Sequence, residues 1–240
     1  MVKFAYLTID DGPSPDFKQK VDFLFSKKIP AIFFCRGQFL KERPDFAIYA
    51  IKKGFIIGSH SYNHPHFSKL TTDECLEQIE RTDEIIEDIY KKVNVKRLLK
   101  VFRFPYGDKG GGDDFELGWP ESATEHIQSI QNILKRFSYK QPKFEGINYK
   151  WYKNAKLEKD ADVVWTYDTH DWRLRKGLDT IEDIFKRMEE NLPEQCRGLN
   201  HPSSTDIILI HDHVETTQDF FKIIERLLEK GIKFVLPKDI

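Results

Sequence analysis

The sequence predicts an α/β fold organised on a parallel sheet or barrel, and three observations carry that expectation. Short apolar runs of strand character alternate along the chain with segments of helical periodicity. Its 240 residues match the length at which an α/β barrel forms one domain, so a single domain over 1–240 is expected. The most reactive side chains fall just past the ends of the apolar runs, where a parallel α/β architecture collects its loops on one face.

The elements follow in order. Strand candidates are residues 3–9, 30–35, 54–58, 99–104, 162–167, 206–211 and 232–236. The first ends at Asp10-Asp11-Gly12-Pro13, a sharp turn. Residues Thr72 to Val93 read as the clearest helix, with Leu76, Ile79, Ile86, Ile89 and Val93 in one stripe and Thr71 with Glu74 as a capping box. Phe220, Phe221, Ile224, Leu227 and Leu228 mark another, ended by Gly231. Residues 108–160 form an insertion after the fourth strand. It opens with Lys109-Gly110-Gly111-Gly112 and holds a helix from Glu121 to Phe137, with Ile127, Ile130, Ile133 and Leu134 on one side. Because the insertion leaves from the loop face, Trp119, Phe137, Tyr139, Tyr149, Trp151 and Tyr152 could form a lid over a site, or simply pack the segment onto the barrel.

Composition narrows the function classes. The 38 basic and 39 acidic residues nearly cancel, which gives no reason to expect nucleic acid or an anionic membrane as partner. Cys35, Cys75 and Cys196 are few, odd in number and widely spaced, which argues for reduced thiols and against a disulfide framework. No basic segment followed by an apolar one precedes the first strand, so a cytoplasmic location without stable membrane insertion is the expectation.

Two motifs carry chemistry. Asp10 and Asp11 at a strand end would point to opposite faces, but a turn at Gly12 can bring both carboxylates to one cavity. One can then bind a cation while the other takes a proton from a water acidified by it. His60 and His64, four apart, are placed on the same side of a helical turn by that spacing. One carboxylate with two histidines leaves open coordination positions, the pattern of a catalytic rather than a structural metal site. Alone, Asp-Asp-Gly is also ordinary turn chemistry. Arg103, Asp168 and His211 each follow an apolar run too, where a surface ion pair, a cap before Thr169 and a core histidine are the competing readings.

Together these segments, with Arg103-Phe104-Pro105-Tyr106-Gly107, Asp168-Thr169-His170-Asp171-Trp172 and Leu209-Ile210-His211-Asp212-His213, resemble the polysaccharide deacetylase family of carbohydrate esterases, the NodB-homology domain. The resemblance spans five motifs in order, from Leu7 to Leu236. It implies a distorted (β/α)7 barrel with the site at the C-terminal strand ends. It implies Asp10 as general base, Asp11, His60 and His64 as ligands of one divalent metal, zinc by default though the set also suits cobalt, nickel, manganese or iron, and Arg103 as partner of Asp10. It further implies Tyr106 as a backbone oxyanion donor, His211 as general acid oriented by Asp168, and Trp172 with Leu209 as walls of an acetyl pocket. The implied reaction is removal of an acetyl group from an N-acetylated sugar. Hydrolysis of a non-sugar amide, or a silent carbohydrate-binding relative, are the alternatives. His170, Asp171, Asp212 and His213, beside the motif positions, read as loop residues.

Overall fold

The computed structural model describes residues 3–112 and 121–238. Among the described residues, six parallel strands form the sheet: β1 (Lys3–Gly12), β2 (Ala31–Cys35), β3 (Ile56–Ser59), β4 (Tyr167–Asp168), β5 (Asp206–His211) and β6 (Ile232–Phe234). Their order is β3-β2-β1-β5-β4, with β6 beside the start of β1 through Lys3↔Ile232 and Ala5↔Phe234. β1 is therefore central and buried on both faces, which its near-continuous apolar run anticipates.

Side chains alternate across this sheet with period two. Ala5, Leu7 and Ile9 of β1, Ala31, Phe33 and Cys35 of β2, and Ile208 and Ile210 of β5 face an outer core shared with the helices. Tyr6, Ile32, Phe34 and Ile207 face inward with Leu99, Val101 and Val163. The outer layer includes α1 (Phe17–Ser26), α2 (Gly37–Glu42), α3 (Pro44–Lys52), α4 (Thr72–Lys92), α8 (Ile181–Glu189) and α9 (Thr217–Glu229). Between α4 and α8 in the chain lie α5 (Glu121–Arg136), α6 (Lys150–Asn154) and α7 (Trp172–Arg175). The capping box expected of Thr71 and Glu74 forms, with the Glu74 carboxylate accepting the Thr71 N–H at 2.7 Å.

Two expected strands shrink. Residues 99–104 contribute only single bridges, Ser59↔Phe102 and Phe102↔Asp162, because the chain turns away at Pro105. Residues 162–167 change neighbours part-way: Val163 donates to the Phe102 carbonyl, whereas Thr166 donates to the Ile207 carbonyl. Only Tyr167 and Asp168 therefore pair regularly with β5. These bridges span the gap between β3 and β4, so the sheet is open by its ladders and curls as a distorted barrel. Gly58 allows the close approach on that side, since a Cβ there would meet Val101 Cγ2 at 2.6 Å and the Val101 carbonyl at 2.9 Å.

The insertion packs on the flank. Ile130, Ile133, Leu134 and Tyr139 join Phe67, Phe102 and Phe104 in one cluster, while Tyr149 and Tyr152 are buried in another. Tyr149 donates to Asp206 at 2.7 Å and Trp151 Nε1 to the Pro193 carbonyl at 2.8 Å. Trp119 lies outside the described residues. No helix among the described residues is long and apolar enough to cross a membrane, and no disulfide joins the three cysteines.

Candidate active site

The strand parity that puts Tyr6 and Thr8 inside the barrel also brings Asp10 to its C-terminal mouth. Asp11 has the opposite parity. Its backbone is left-handed at φ 73°, and the register with β2 slips between Asp10 and Gly12, so a bulge turns the second carboxylate into the same cavity. Parity likewise puts Leu209 and His211 of β5 inside, with Ile208 and Ile210 outside.

The cavity measures about 650 Å³ and is lined by Asp10, Asp11, His60, His64, Leu209 and His211, with Tyr106, Trp165, Asp168 and Trp172 among the walls. Among the described residues, none of the insertion after Asp108 lines it.

His60 and His64 do meet, with ring centroids 4.9 Å apart, but not on a helical turn. Residues 60–64 form a loop in which Ser61 and His64 take left-handed backbones at φ 62° and 65°. That loop is held by the Gln78 side-chain carbonyl, which accepts from Tyr62 and Asn63, and by the Ser61 hydroxyl, which accepts from His64.

Asp11, His60 and His64 present three donor atoms within 4.8 Å of one another. His64 Nε2 lies 3.2 Å and His60 Nε2 3.7 Å from Asp11 Oδ1. Ligands about 2.1 Å from a tetrahedral ion sit about 3.4 Å apart, so the group fits a divalent cation. His60 Nδ1 lies 2.8 Å from the Arg103 carbonyl, which can only accept, so the proton sits on Nδ1 and the Nε2 lone pair faces Asp11. Burial pushes His60 well below its ordinary pKa and lowers His64, so both favour the neutral form a ligand needs. Burial also raises Asp11, yet hydrogen bonds from His213 and His64 and the charge of Arg36 outweigh it and hold the carboxyl well below its ordinary range.

Asp10 is placed differently. Arg103 Nη1 donates to it at 2.9 Å and to the Thr8 hydroxyl at 2.8 Å, and Arg103 Nε donates to the Val163 carbonyl. Burial pushes Asp10 up to about 6, against the pull of Arg103 and His211. His211 is the opposite case: burial works against its charged form, but Asp171 outweighs it, and the pKa rises to about 10.

The partner of His211 differs from expectation. His211 Nδ1 lies 2.8 Å from Asp171 Oδ1, and the His211 N–H donates to Asp171 Oδ2 at 2.9 Å. Asp168 instead accepts the His170 N–H at 2.8 Å and Trp172 Nε1 at 3.4 Å. His170 is left-handed at φ 62°, which reverses the chain and returns Asp171, not Asp168, towards β5. Asp168 therefore lines the cavity and tethers the Trp172 indole.

The profile of the polysaccharide deacetylase family matches residues 2–112, which hold Asp10, Asp11, His60, His64, Arg103 and Tyr106. That match covers a little under half of the chain, and relatives that align over nearly all of it are named deacetylases. It is 28% identical over 235 residues to the peptidoglycan-N-acetylglucosamine deacetylase of Bacillus cereus, covering 95% of this chain and 65% of that protein. It is 32% identical over 242 residues to chitin deacetylase 1 of Cryptococcus neoformans, covering 97% of this chain and 40% of that protein. The chain thus spans less than two thirds of either relative. The solved peptidoglycan deacetylase PdaC of Bacillus subtilis superposes with a TM-score of 0.60 at 26% identity, covering 98% of this chain and 87% of that one. BA3943, a CE4 family pseudoenzyme from Bacillus anthracis, shares the fold at a TM-score of 0.61 and 20% identity, covering 97% and 63%. Fold alone thus does not distinguish an active deacetylase from a silent one, and the side chains must.

Beyond the residues the motifs suggested, the cavity contains Arg36, Trp165 and His213, with Asp171 bonded to His211. Arg36 follows β2 directly and holds Asp11 Oδ1 through Nε at 2.9 Å and Nη2 at 2.7 Å. His213 Nε2 lies 2.8 Å from Asp11 Oδ2. The sequence carried a signal for His213, since it shares the parity of Leu209 and His211. Arg36 had one as well, being the polar residue directly after an apolar strand.

Proposed function

We propose that the protein is a divalent-metal-dependent deacetylase that removes the acetyl group from an N-acetylated sugar, with zinc held by Asp11, His60 and His64. The observation that carries this reading is the pairing of two carboxylates with opposite surroundings beside two neutral histidines in one cavity. When bound, the cation supplies a Lewis acid that acidifies water and polarises the acyl carbonyl.

The chain's own residues do the rest. Asp10, with a pKa near 6, is poised to accept the proton of the attacking water at neutral pH. Arg103 keeps that carboxylate aimed and ionised. The Tyr106 N–H, on a left-handed turn at φ 58°, offers a fixed backbone donor to the developing oxyanion, a contribution of roughly 3 to 4 kcal/mol in other enzymes. His211, kept as imidazolium by Asp171, gives its proton to the departing amine. Leu209 and Trp172 wall the space for the acetyl methyl, and the Asp168 carboxylate holds the Trp172 indole in that wall.

The test is release of acetate and free amine from a panel: chitin oligomers, peptidoglycan fragments, nucleotide-linked N-acetyl sugars, O-acetylated xylan and simple non-sugar amides. The reading expects turnover on an N-acetylated sugar that stops on chelation. A preference for non-sugar amides overturns the substrate class, and silence on every member with zinc bound stoichiometrically overturns the enzyme reading in favour of a binding role.

A further inference from the structure

Asp11 is held from both sides. Its Oδ1 receives Arg36 and faces both histidines, while its Oδ2 accepts from His213 Nε2 at 2.8 Å. An ionised carboxylate oxygen can only accept, so the proton in that bond belongs to Nε2. His213 is 8% exposed and follows β5, at the opposite end of the chain from Asp11.

The turn that carries His213 is itself fastened from beneath. Lys20 of α1 donates to the His213 carbonyl at 2.9 Å and pairs with Asp212 Oδ1 at 2.5 Å. Lys20 and Asp212 are fully buried side chains. The Asp212 carboxylate also accepts the Ser14 N–H and hydroxyl, both at 2.7 Å, and its own N–H donates to the Asp10 carbonyl at 2.8 Å. The end of β1, which carries Asp10 and Asp11, the loop that follows it at Ser14 and the turn after β5 are thus joined by hydrogen bonds. Breaking a buried ion pair of this kind is costly, and its neighbours are the site's reactive residues.

We propose that His213 is a positioning residue for the metal ligand Asp11, and that the buried Lys20–Asp212 pair holds His213 in place. By engaging Oδ2, His213 keeps Oδ1 turned towards His60 and His64 and fixes the plane of the carboxylate. Hydrogen bonds to ligating groups of this kind commonly set metal affinity by 10- to 100-fold. The inference rests on Asp11, His60 and His64 being the ligands, as proposed above, but not on the substrate or on turnover.

The experiment measures zinc and cobalt affinity of the full chain by competition with a chromophoric chelator, together with the visible absorption of the cobalt form. It compares the wild type with His213→Ala, His213→Gln, His213→Asn and Lys20→Met. A Gln amide nitrogen reaches the position of Nε2, whereas an Asn amide reaches only that of Nδ1. The expected result is affinity weakened about 10- to 100-fold in H213A and H213N, restored to within about threefold in H213Q, and weakened in the same direction in K20M. The cobalt spectrum should follow that order. If H213A fails to fold, the Gln and Asn pair decides. Wild-type affinity in H213A, or equal loss in H213Q and H213N, overturns the proposal. Failure of the wild type to bind either metal would instead overturn the ligand set itself.

Discussion

Replacing Asp171 by Asn separates the observed partner of His211 from the expected one. In the wild type, Asp171, with smaller help from the Asp11 and Asp10 charges, carries His211 from an ordinary 6.5 to about 10, against the opposing effect of burial. At about 1.4 kcal/mol per pKa unit that displacement is roughly 5 kcal/mol of preference for the imidazolium. An Asn can still accept the Nδ1–H at 2.8 Å but brings no charge. With burial left in place and only the Asp11 and Asp10 charges still raising it, the pKa of His211 falls from about 10 towards 6.5. A pKa of 6.5 leaves about 3% protonated at pH 8, so the loss in kcat approaches about 30-fold before any misorientation. The assay is the pH dependence of kcat, with the imidazole followed directly by NMR titration. In the wild type the alkaline limb is expected near 10; in D171N it moves down towards 6.5. Stability changes in the same window, because a raised histidine pKa stabilises the folded state fully below 6.5 and loses that contribution as pH rises through about 10. The unfolding free energy of the wild type should fall across that range and that of D171N should not. An unmoved alkaline limb in D171N, or a limb that moves in Asp168→Asn instead, refutes the assignment.

Three further outcomes are expected. Arg103→Met strips the buried Asp10 of its partner, so unfolding in urea should reveal a loss of about 3–5 kcal/mol, and any surviving activity should have its acid limb displaced upward. The acid limb of the wild type should lie at or below about 6, since a cation beside Asp10 favours its charged form; a limb well above 6 contradicts Asp10 as the base. Gly58→Ala puts a Cβ 2.6 Å from Val101 Cγ2 and should lower stability by about 1–3 kcal/mol in thermal unfolding without changing metal affinity.

The sequence made the strand framework and the placement of the motifs readable because both follow from period-two alternation and strand ends. β1, β2 and β5 match their apolar runs closely, and parity puts Leu209 inside with Ile208 and Ile210 outside. What alternation could not provide was the course of the chain after each strand. Asp11 enters the cavity through a bulge, His64 through two left-handed loop residues, and Asp171 through a left-handed His170. Each reverses direction within one or two residues, with no periodic signature in the side chains. The short ladders at 99–104 and 162–167 have a similar origin: these runs are apolar enough for strands, but their neighbours change along their length. His213 shares the parity of His211, but the polar residues around it carry the signature of a loop.

Acetate release by Asp10→Asn, beside wild type carrying the same measured metal content, tests the central claim most directly. The account expects the wild type to deacetylate an N-acetylated sugar only with metal present, and D10N to bind metal normally and release no acetate above background. Full activity in D10N, or wild-type activity that survives complete removal of the metal, would contradict it.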